Sequence, residues 1–347
     1  MKPIIDCPIT KSTTDKITMA HGSGGVATER LIAEVFSVNF RNDYLDEKND
    51  GAVIPIHSSE IAFSSDSFVV KPIFFPGGDI GSLSVNGTIN DILCCGALPL
   101  YLSASFILEE GLEIYKLEKI VKSMAKAAKE GGIMIVTGDT KVVERGKCDG
   151  IYISTSGIGS ILPNLNLSPK NIQHGDTIIV TAPIAEHGIA ILTSREKLGF
   201  EGKVKSDTAP LRNMIINLLS KVQHISAIRD ATRGGVATVL NEIASISKKA
   251  IIIDENILPI SKHVAAASAL LGLDPLYIAN EGVMVVFVPE EYASTALSVI
   301  REDKYGKNAV IIGKVIKGEP GEVYLKTIVG TERNLPPLLR EQLPRIC

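Results

Sequence analysis

Tryptophan is absent from the 347-residue sequence, and aromatic residues make up only 5% of it. A chain with so few rings is a poor candidate for a base-stacking platform of the kind that binds single-stranded nucleic acid. An excess of positive charge is also missing, since the formal net charge is −3. The composition therefore predicts binding neither to nucleic acid nor to an anionic membrane surface.

A long apolar run is missing as well. The longest uncharged run extends from Ile92 to Leu108 and contains Gly96 and Pro99. It is shorter than the roughly 20 residues that a membrane-spanning helix requires. The first residues, MKPIIDCPITKSTTDK, contain no apolar segment of signal-peptide length. We therefore expect a protein with no membrane span.

Cysteine is scarce, and the spacing of the cysteines suggests no disulfide or metal motif. The five cysteines are Cys7, Cys94, Cys95, Cys148 and Cys347, and no CxxC motif occurs among them. An odd number without such motifs is typical of proteins in a reducing compartment, so we expect a cytoplasmic location. The histidines show no HExxH or paired ligand spacing, and no structural zinc site is predicted.

The order of apolar segments predicts two α+β domains, each with a sheet faced by helices on one side. Strand patterns such as EIAFSSDSFVV and GIYISTSGIG alternate with helical patterns such as EIYKLEKIVKSMAKAAKEGG, which ends at a glycine pair. We assign residues 1–162 to a first domain and 175–330 to a second. Residues 331–347 contain three prolines and are predicted to form a flexible tail.

The stretch AHGSGG (residues 20–25) precedes the helical pattern VATERLIAEVF and follows the short segment KITM, which is expected to be a strand. Glycines before a helix N-terminus allow backbone N–H groups to approach a phosphate. An ordinary glycine turn into a helix explains the stretch equally well. The spacing Gly22-x-Gly24-x-x-Ala27 also fits a relaxed dinucleotide motif, but no convincing βαβ unit follows.

Acidic residues recur beside small polar residues at the ends of apolar segments. They are Asp66, Asp91, Asp139 and Asp230. Carboxylates that converge on one cleft suit Mg²⁺ bound to nucleotide phosphates, although each alone is more often a cap or a turn residue. Lys141, directly after GDT, could neutralise a transferring phosphoryl group, although a solvated lysine at a strand end explains it equally well. Glu281 could face a cleft, although on its own such a residue is more often part of a turn.

Together and in this order, AHGSGG, DSFVVKPIFFPGGDIGSLSVNGTINDILCCGA, VTGDTKVV, RDATRGGVATVLNE, NEG and the final PRIC resemble the HypE family of hydrogenase maturation proteins. The similarity extends from about residue 15 to residue 347. This family belongs to the superfamily of aminoimidazole ribonucleotide synthetase, selenophosphate synthetase and thiamine-monophosphate kinase. The resemblance implies a two-domain α+β fold, with an N-terminal four-stranded sheet that forms a barrel across a homodimer and a C-terminal α+β sandwich.

The resemblance also implies an activity and partners. The carbamoyltransferase HypF would load a carbamoyl group onto Cys347, and this chain would use ATP and Mg²⁺ to dehydrate the S-carboxamide to a thiocyanate. The cyano group would pass to iron held by the HypC–HypD complex, as a ligand of the nickel–iron hydrogenase active site. The alternative is an ATP-dependent kinase or synthetase of the same superfamily that acts on a small molecule, of the selenophosphate or thiamine-phosphate type.

The residues carried over by the resemblance fall into three sets. The catalytic set is Cys347, Lys141, Glu281 and Asp91, and the sequence does not decide which member is the base. The nucleotide-binding set is His21, Gly22, Ser23, Gly24, Gly25, Asp66, Asn90, Gly138, Asp139, Asp230 and Arg233. The metal-binding set is Asp66, Asp91, Asp139 and Asp230.

Overall fold

The computed structural model describes residues 15–23, 25–46, 51–56, 60–196 and 204–338. Its first half is built around a four-stranded sheet. The elements of this half are α1 (Val26–Leu31), α2 (Val38–Phe40), α3 (Asp43–Asp46), β1 (Ile61–Phe68), β2 (Phe74–Phe75), β3 (Gly78–Asp79), α4 (Ile80–Cys94), β4 (Ala97–Glu109), α5 (Ile114–Gly131), β5 (Met134–Val143) and β6 (Ile151–Ile161).

The first sheet has the strand order β1-β6-β4-β5, with α5 as the crossover between the parallel strands β4 and β5. Side chains of β1 alternate between two environments, as the period of a half-buried strand requires. Ala62 and Phe68 are buried against the helices, whereas Phe63, Ser65 and Ser67 lie exposed on the other face. The sheet therefore presents one open face in the single chain.

Capping residues define one end of each of the two long helices of this half. Asp79 caps α4 by accepting hydrogen bonds from Gly81 N at 2.8 Å and Ser82 N at 2.9 Å. Helix α5 ends at Gly132, whose φ of 61° lies in the left-handed region that glycine adopts without strain. The predicted glycine stop of this helix is confirmed.

The second half contains a seven-stranded sheet and most of the remaining helices. Its elements are β7 (Thr177–Val180), α6 (Glu186–Glu196), α7 (Arg212–Lys221), β8 (Ala227–Asp230), α8 (Gly235–Ser247), β9 (Ala250–Asp254), α9 (Lys262–Leu271), β10 (Met284–Val288), α10 (Glu290–Glu302), β11 (Val310–Ile316), β12 (Val323–Lys326) and β13 (Glu332–Asn334). The strand order is β13-β12-β9-β11-β7-β10-β8.

Both faces of the second sheet are buried, which differs from the expectation of helices on one side. Ile179 and Val286 pack into the core that includes α7 and α10, whereas Ile178 and Phe287 pack into the core that includes α8. The cause is visible in the sequence, because every residue of β7 and β10 is buried and their apolar runs do not alternate.

The two halves share one hydrophobic core. Ile89 of α4, Leu218 of α7 and Met284 of β10 belong to the same buried cluster. At the surface, Glu130 of α5 accepts a hydrogen bond of 2.8 Å from the hydroxyl of Tyr305 in the second half. Contacts across the junction therefore fix how the ends of β1, α4, β8 and β10 face one another.

The structure differs from the sequence-based expectation near the start and near the end of the described residues. The segment KITM is not a strand, since only Lys16 forms a single bridge, to Glu113. Glu332–Asn334, assigned to the tail, pair with β12, so the described part of that segment begins as a strand. Among the helices of the described ranges, none is long and apolar enough to cross a membrane. The domain boundaries stay predictions.

Candidate active site

Four carboxyl groups line one small cavity at the junction of the two halves. Asp66 comes from β1 and Asp91 from α4, whereas Asp230 ends β8 and Glu281 precedes β10. The cavity has a volume of about 90 Å³, and Arg233 also lines it. The structure thus brings together three of the four predicted metal-binding aspartates and the predicted catalytic glutamate.

Packing of α4 on β1 determines where the first two carboxylates lie. The hydroxyl of Ser64 donates a hydrogen bond of 2.6 Å to Asp91 Oδ2. The hydroxyl of Thr88 lies 3.3 Å from Asp66 Oδ2 and 2.7 Å from the hydroxyl of Thr155 on β6. Residues three apart on a helix share a face, so Thr88 and Asp91 both point to the strand.

Strand pairing positions the other two carboxylates. Asp230 is paired with Met284 in the antiparallel ladder of β8 and β10, and Ala231 N donates to Val283 O at 2.9 Å. The turn that contains Glu281 therefore lies beside the end of β8. The Glu281 side chain is almost fully buried, with 5% exposure.

Burial and crowding raise the pKa of three carboxyl groups in this cluster. Burial, followed by the negative charge of Asp91, raises the pKa of Asp66 to about 7. Burial, with Asp91 again second, raises the pKa of Asp230 to about 6. Burial also raises the pKa of Glu281 well above its usual range, and neighbouring carboxylates, first of them Asp207, add to the effect. A cation in the cavity would offset this repulsion.

The donor set fits a magnesium ion that is shared with phosphate. Within the described ranges, no three His, Cys, Asp or Glu side chains are arranged to hold a metal ion by themselves. Mg²⁺ usually retains several waters and takes one or two carboxylates together with substrate phosphates. Asp66 and Asp91, whose carboxylates interact directly, could supply those two ligands.

The predicted phosphate loop lies elsewhere, against β5. Thr18 N donates a hydrogen bond of 3.0 Å to Nδ1 of the buried His21, which orders the short 3₁₀ helix Met19–Gly22. A Cβ atom on Gly22 would lie 2.8 Å from Val142 N, so the loop contacts β5 closely at this glycine. Gly24 lies outside the described residues.

Asp139 and Lys141 lie on the same edge strand as this contact. Lys141 Nζ is 2.9 Å from Asp139 Oδ2, and 66% of the Lys141 side chain is exposed. The hydrogen bond from Lys141 lowers the pKa of Asp139. Neither residue lines the carboxylate cavity of its own chain.

The register of the sheet relates the two regions. Asp66 pairs with Thr155, Thr155 pairs with Ala104, and Ala104 pairs with Gly138. These residues form one row across the sheet, so Asp66 and Gly138 are three strand spacings apart, roughly 14 Å. The carboxylate cavity therefore adjoins one edge of the first sheet at Asp66, whereas Gly138, Asp139 and Lys141 lie on its opposite edge.

Asn90 is held by the backbone of the second half of the chain. The Asn90 side-chain amide donates to Ala209 O at 3.1 Å and accepts from Leu211 N at 3.1 Å, so its polar atoms are engaged with the backbone. Cys347 lies outside the described residues, and its role stays a prediction. The assignments of nucleotide-binding residues are likewise not tested by this geometry.

Asp207 was not singled out from the sequence. Its carboxylate accepts hydrogen bonds from the backbone N–H groups of Glu281 and Gly282. Burial raises the pKa of Asp207 to about 6. The stretch SDT around it has the same form as SDS around Asp66, an aspartate between small polar residues, and this signal could have drawn attention to it.

Comparison with known proteins agrees with this architecture. The family model for the N-terminal domain of AIR synthase related proteins matches residues 48–161, and the model for their C-terminal domain matches residues 173–326. The carbamoyl dehydratase HypE of Azotobacter vinelandii is 46% identical over 331 residues, which cover 95% of this chain and 97% of the relative.

Solved structures give the same result. The crystal structure of the hydrogenase maturation protein HypE in complex with ATP is 46% identical and superposes with a TM-score of 0.92, covering 95% of this chain and 99% of the other. A chain of a crystal structure of a HypE–HypF complex is also 46% identical, with a TM-score of 0.78 and coverage of 89% and 99%.

The carboxylate cluster predicts an unusual dependence of stability on pH. A carboxyl group with a raised pKa contributes stability that is complete below its unfolded pKa, near 3.9, and is lost as pH rises through its folded pKa. For Asp66 the folded value is about 7. We expect the metal-free protein to lose stability between about pH 4 and pH 7, and Asp66→Asn to remove part of that loss.

Urea unfolding at pH 5 and pH 7.5 tests this. After allowance for solvent screening, Asp66→Asn should raise the free energy of unfolding at pH 7.5 by on the order of 1–3 kcal/mol, and by less at pH 5. Asp254→Asn is the control, because backbone and side-chain hydrogen bonds from Asn256 lower the pKa of Asp254, and no gain is expected there. Equal gains for both variants would contradict the assignment of repulsion to the cavity.

Proposed function

Since this chain belongs to the carbamoyl dehydratase HypE family, we propose that it dehydrates the S-carboxamide on its own Cys347 to a thiocyanate at the expense of ATP. The observation that carries the proposal is the convergence of Asp66, Asp91, Asp230 and Glu281 on one cavity. Two of these carboxylates, with waters and phosphate oxygens, are enough to hold Mg²⁺ on a triphosphate, which leaves the others free for further roles in the site.

The chemistry proceeds in two stages. The carboxamide oxygen attacks the γ-phosphorus of ATP, and ADP leaves. The C–O bond then breaks with phosphate as the leaving group, while the two N–H protons are lost, which leaves a carbon–nitrogen triple bond on sulfur. An amide oxygen is a poor leaving group, so its phosphorylation makes the dehydration feasible.

The residues of the chain have separate tasks in this scheme. Mg²⁺ held by Asp66 and Asp91 would neutralise phosphate charge. Glu281 is buried beside these carboxylates, and burial raises its pKa, which makes its ionised form a stronger base, so it can accept a proton from the carboxamide nitrogen. Lys141 would stabilise the charge of the transferring phosphoryl group.

We also propose a homodimer in which the first sheet closes into a barrel with its counterpart. Phe63, Ile107 and Met134 are exposed on this sheet, and β1 and β5 are its edges. Pairing β5 of one copy with β1 of the other would bring Asp139 and Lys141 towards the carboxylate cavity of the second subunit. Each active site would then combine residues from two chains.

Two partner proteins complete the proposal. A crystal structure of a HypE–HypF complex exists for a protein 46% identical to this chain, which supports HypF as the source of the carbamoyl group. The HypC–HypD complex is the proposed acceptor of the cyano group. A carrier thiol has to stay reduced, so the reaction requires a reducing compartment such as the cytoplasm.

Mass spectrometry of the C-terminal peptide tests the function directly. After incubation with HypF, carbamoyl phosphate and ATP, the peptide should gain the mass of a carbamoyl group and then lose the mass of one water. Cys347→Ala should bind ATP as the wild type does but gain neither mass. ATP turnover with an unmodified peptide and a phosphorylated small molecule as product would favour the kinase alternative.

Lys141→Ala separates the two stages. Carbamoyl transfer belongs to the partner, so loading of Cys347 should proceed normally, whereas dehydration should slow by about 10²–10³-fold because an electrostatic stabiliser is lost. Lys326→Ala is the matched control, since Lys326 is also a strand lysine paired with an aspartate, Asp254, at 3.2 Å. Thiocyanate formation at the wild-type rate in Lys141→Ala would make Lys141 structural.

Mixed dimers test whether the site is shared. Asp91→Asn and Lys141→Ala subunits carry different affinity tags, are co-expressed, and are purified as heterodimers. If Lys141 acts on the cavity of the other subunit, each heterodimer has one intact site and should show roughly half the wild-type dehydration rate. If both residues act within one chain, no site is intact, and the heterodimer should be as inactive as its parents.

A further inference from the structure

The turn that contains Glu281 lies just outside the second sheet, before the first residue of β10. The backbone of Glu281 is therefore not paired with a neighbouring strand. Glu281 and Gly282 come just before β10, which begins at Met284. The side chain of Glu281 nevertheless occupies a defined place among the cavity carboxylates. The contacts of its backbone must therefore come from elsewhere in the chain.

Asp207 supplies the contacts on the N–H side. Its two oxygens each lie 3.2 Å from Glu281 N, and Oδ2 lies 3.0 Å from Gly282 N. An ionised carboxylate can only accept hydrogen bonds, so both oxygens suit this pair of N–H groups. An asparagine would place an N–H donor against one of them. The geometry thus favours aspartate over its isosteric amide.

The backbone of Asp207 also touches the turn. A Cβ atom on Gly282 would lie 1.9 Å from the Asp207 carbonyl oxygen, so only glycine allows the two backbones to approach this closely. Glu281 directly precedes Gly282 in the sequence. This close contact therefore also fixes where Glu281 lies relative to Asp207.

The carbonyl side of Glu281 is held by α4. The side-chain amide of Asn90 donates to Glu281 O at 3.3 Å and to Ala209 O at 3.1 Å. Leu211 N donates to Asn90 Oδ1 at 3.1 Å. Residues 207–211 and Asn90 therefore hold the turn from both sides, and Asn90 is adjacent in sequence to Asp91 of the cavity.

Holding the turn with Asp207 has an electrostatic cost. Four carboxyl groups already line the cavity, and the negative charge of Asp207 adds to the repulsion that raises the pKa of Glu281. The described hydrogen-bond partners of Asp207 are backbone N–H groups, which offset its charge only in part. This cost at the site indicates a role in the site.

We propose that Asp207 is a positioning residue for the dehydration: by holding the N–H groups of Glu281 and Gly282, it keeps the Glu281 side chain in the carboxylate cavity. The inference rests on the function proposed above and assigns Asp207 no contact with substrate. It acts through Glu281, and this dependence makes it testable.

The experiment uses the full-length protein after loading by HypF. Asp207→Asn should accept the carbamoyl group normally and keep the KM for ATP within about twofold, while the rate constant of dehydration falls at least about tenfold. Hydrogen exchange of the Glu281 and Gly282 amides should accelerate, which reports the lost contacts without reference to activity. In a Glu281→Asp background, Asp207→Asn should cause little further loss.

Asp176→Asn is the matched control. Asp176 is also buried and accepts a backbone hydrogen bond, from Gln173 N at 3.0 Å, but it precedes β7 at the end of the sheet away from the cavity. The Asp176→Asn variant should dehydrate the S-carboxamide at the wild-type rate. Should Asp207→Asn fail to fold, Asp207→Glu, which keeps the carboxylate one methylene further out, takes its place in every comparison.

The outcomes separate the two proposals. The role of Asp207 would be overturned if Asp207→Asn dehydrated at the wild-type rate, or if Asp176→Asn lost as much of that rate. It would also be overturned if the losses from Asp207→Asn and Glu281→Asp were independent in the double variant. Absence of thiocyanate from the wild type itself would overturn the proposed function, while hydrogen exchange would still report whether Asp207 holds the turn.

Discussion

Four carboxyl groups can share one cavity only if the surrounding structure opposes their repulsion. Asp66 and Asp91 come from the first half of the chain, whereas Asp230 and Glu281 come from the second. The cavity therefore exists only while the two halves are docked. That docking depends on the shared core around Ile89 and on polar contacts across the junction. The cavity and the junction depend on the same contacts. A substitution that weakens either one should therefore affect both the docking of the two halves and the geometry of the cavity.

The groups that hold these carboxylates in place are mostly neutral. Ser64 and Thr88 donate hydroxyl hydrogen bonds to Asp91 and Asp66. A lysine in their place would form an ion pair with these carboxylates and fill the position that a metal ion needs. Arg229, which is close enough to lower the pKa of Asp230, forms its ion pair with Glu242 at 3.1 Å. The arrangement keeps negative charge available for a divalent cation at some cost to the stability of the metal-free protein.

Local patterns in the sequence predicted most elements of this fold, because their causes are local. The apolar face of α5 and its stop at Gly132 follow from residues that are neighbours along the chain. The second sheet was predicted less well, since the expectation of helices on one side overlooked that the apolar runs of β7 and β10 do not alternate, as is typical of strands covered on both faces.

The site was predictable as a set of residue types and not as a geometry. Asp66 and Asp139 stand in similar sequence contexts, yet the register of β1, β6, β4 and β5 puts them on opposite edges of the sheet. Strand register is a tertiary property that no single motif encodes. Asn90 illustrates the same limit, because its engagement with Ala209 and Leu211 depends on a segment more than a hundred residues away.

Distribution of the site over separate parts of the molecule has a chemical consequence. The carboxylate cavity lies at the junction, Lys141 lies on an edge strand, and the proposed carrier thiol is that of Cys347, the last residue of the sequence. In the proposed dimer, phosphoryl transfer requires all three together with the nucleotide, so ATP meets a complete site only when the loaded thiol is present. Water is the competing acceptor for the phosphoryl group, and a site that is assembled by its substrate limits that side reaction. Asp207 and Asn90, whose hydrogen bonds hold the turn of Glu281, would keep this proposed catalytic group in place before the others arrive, as such a divided site requires.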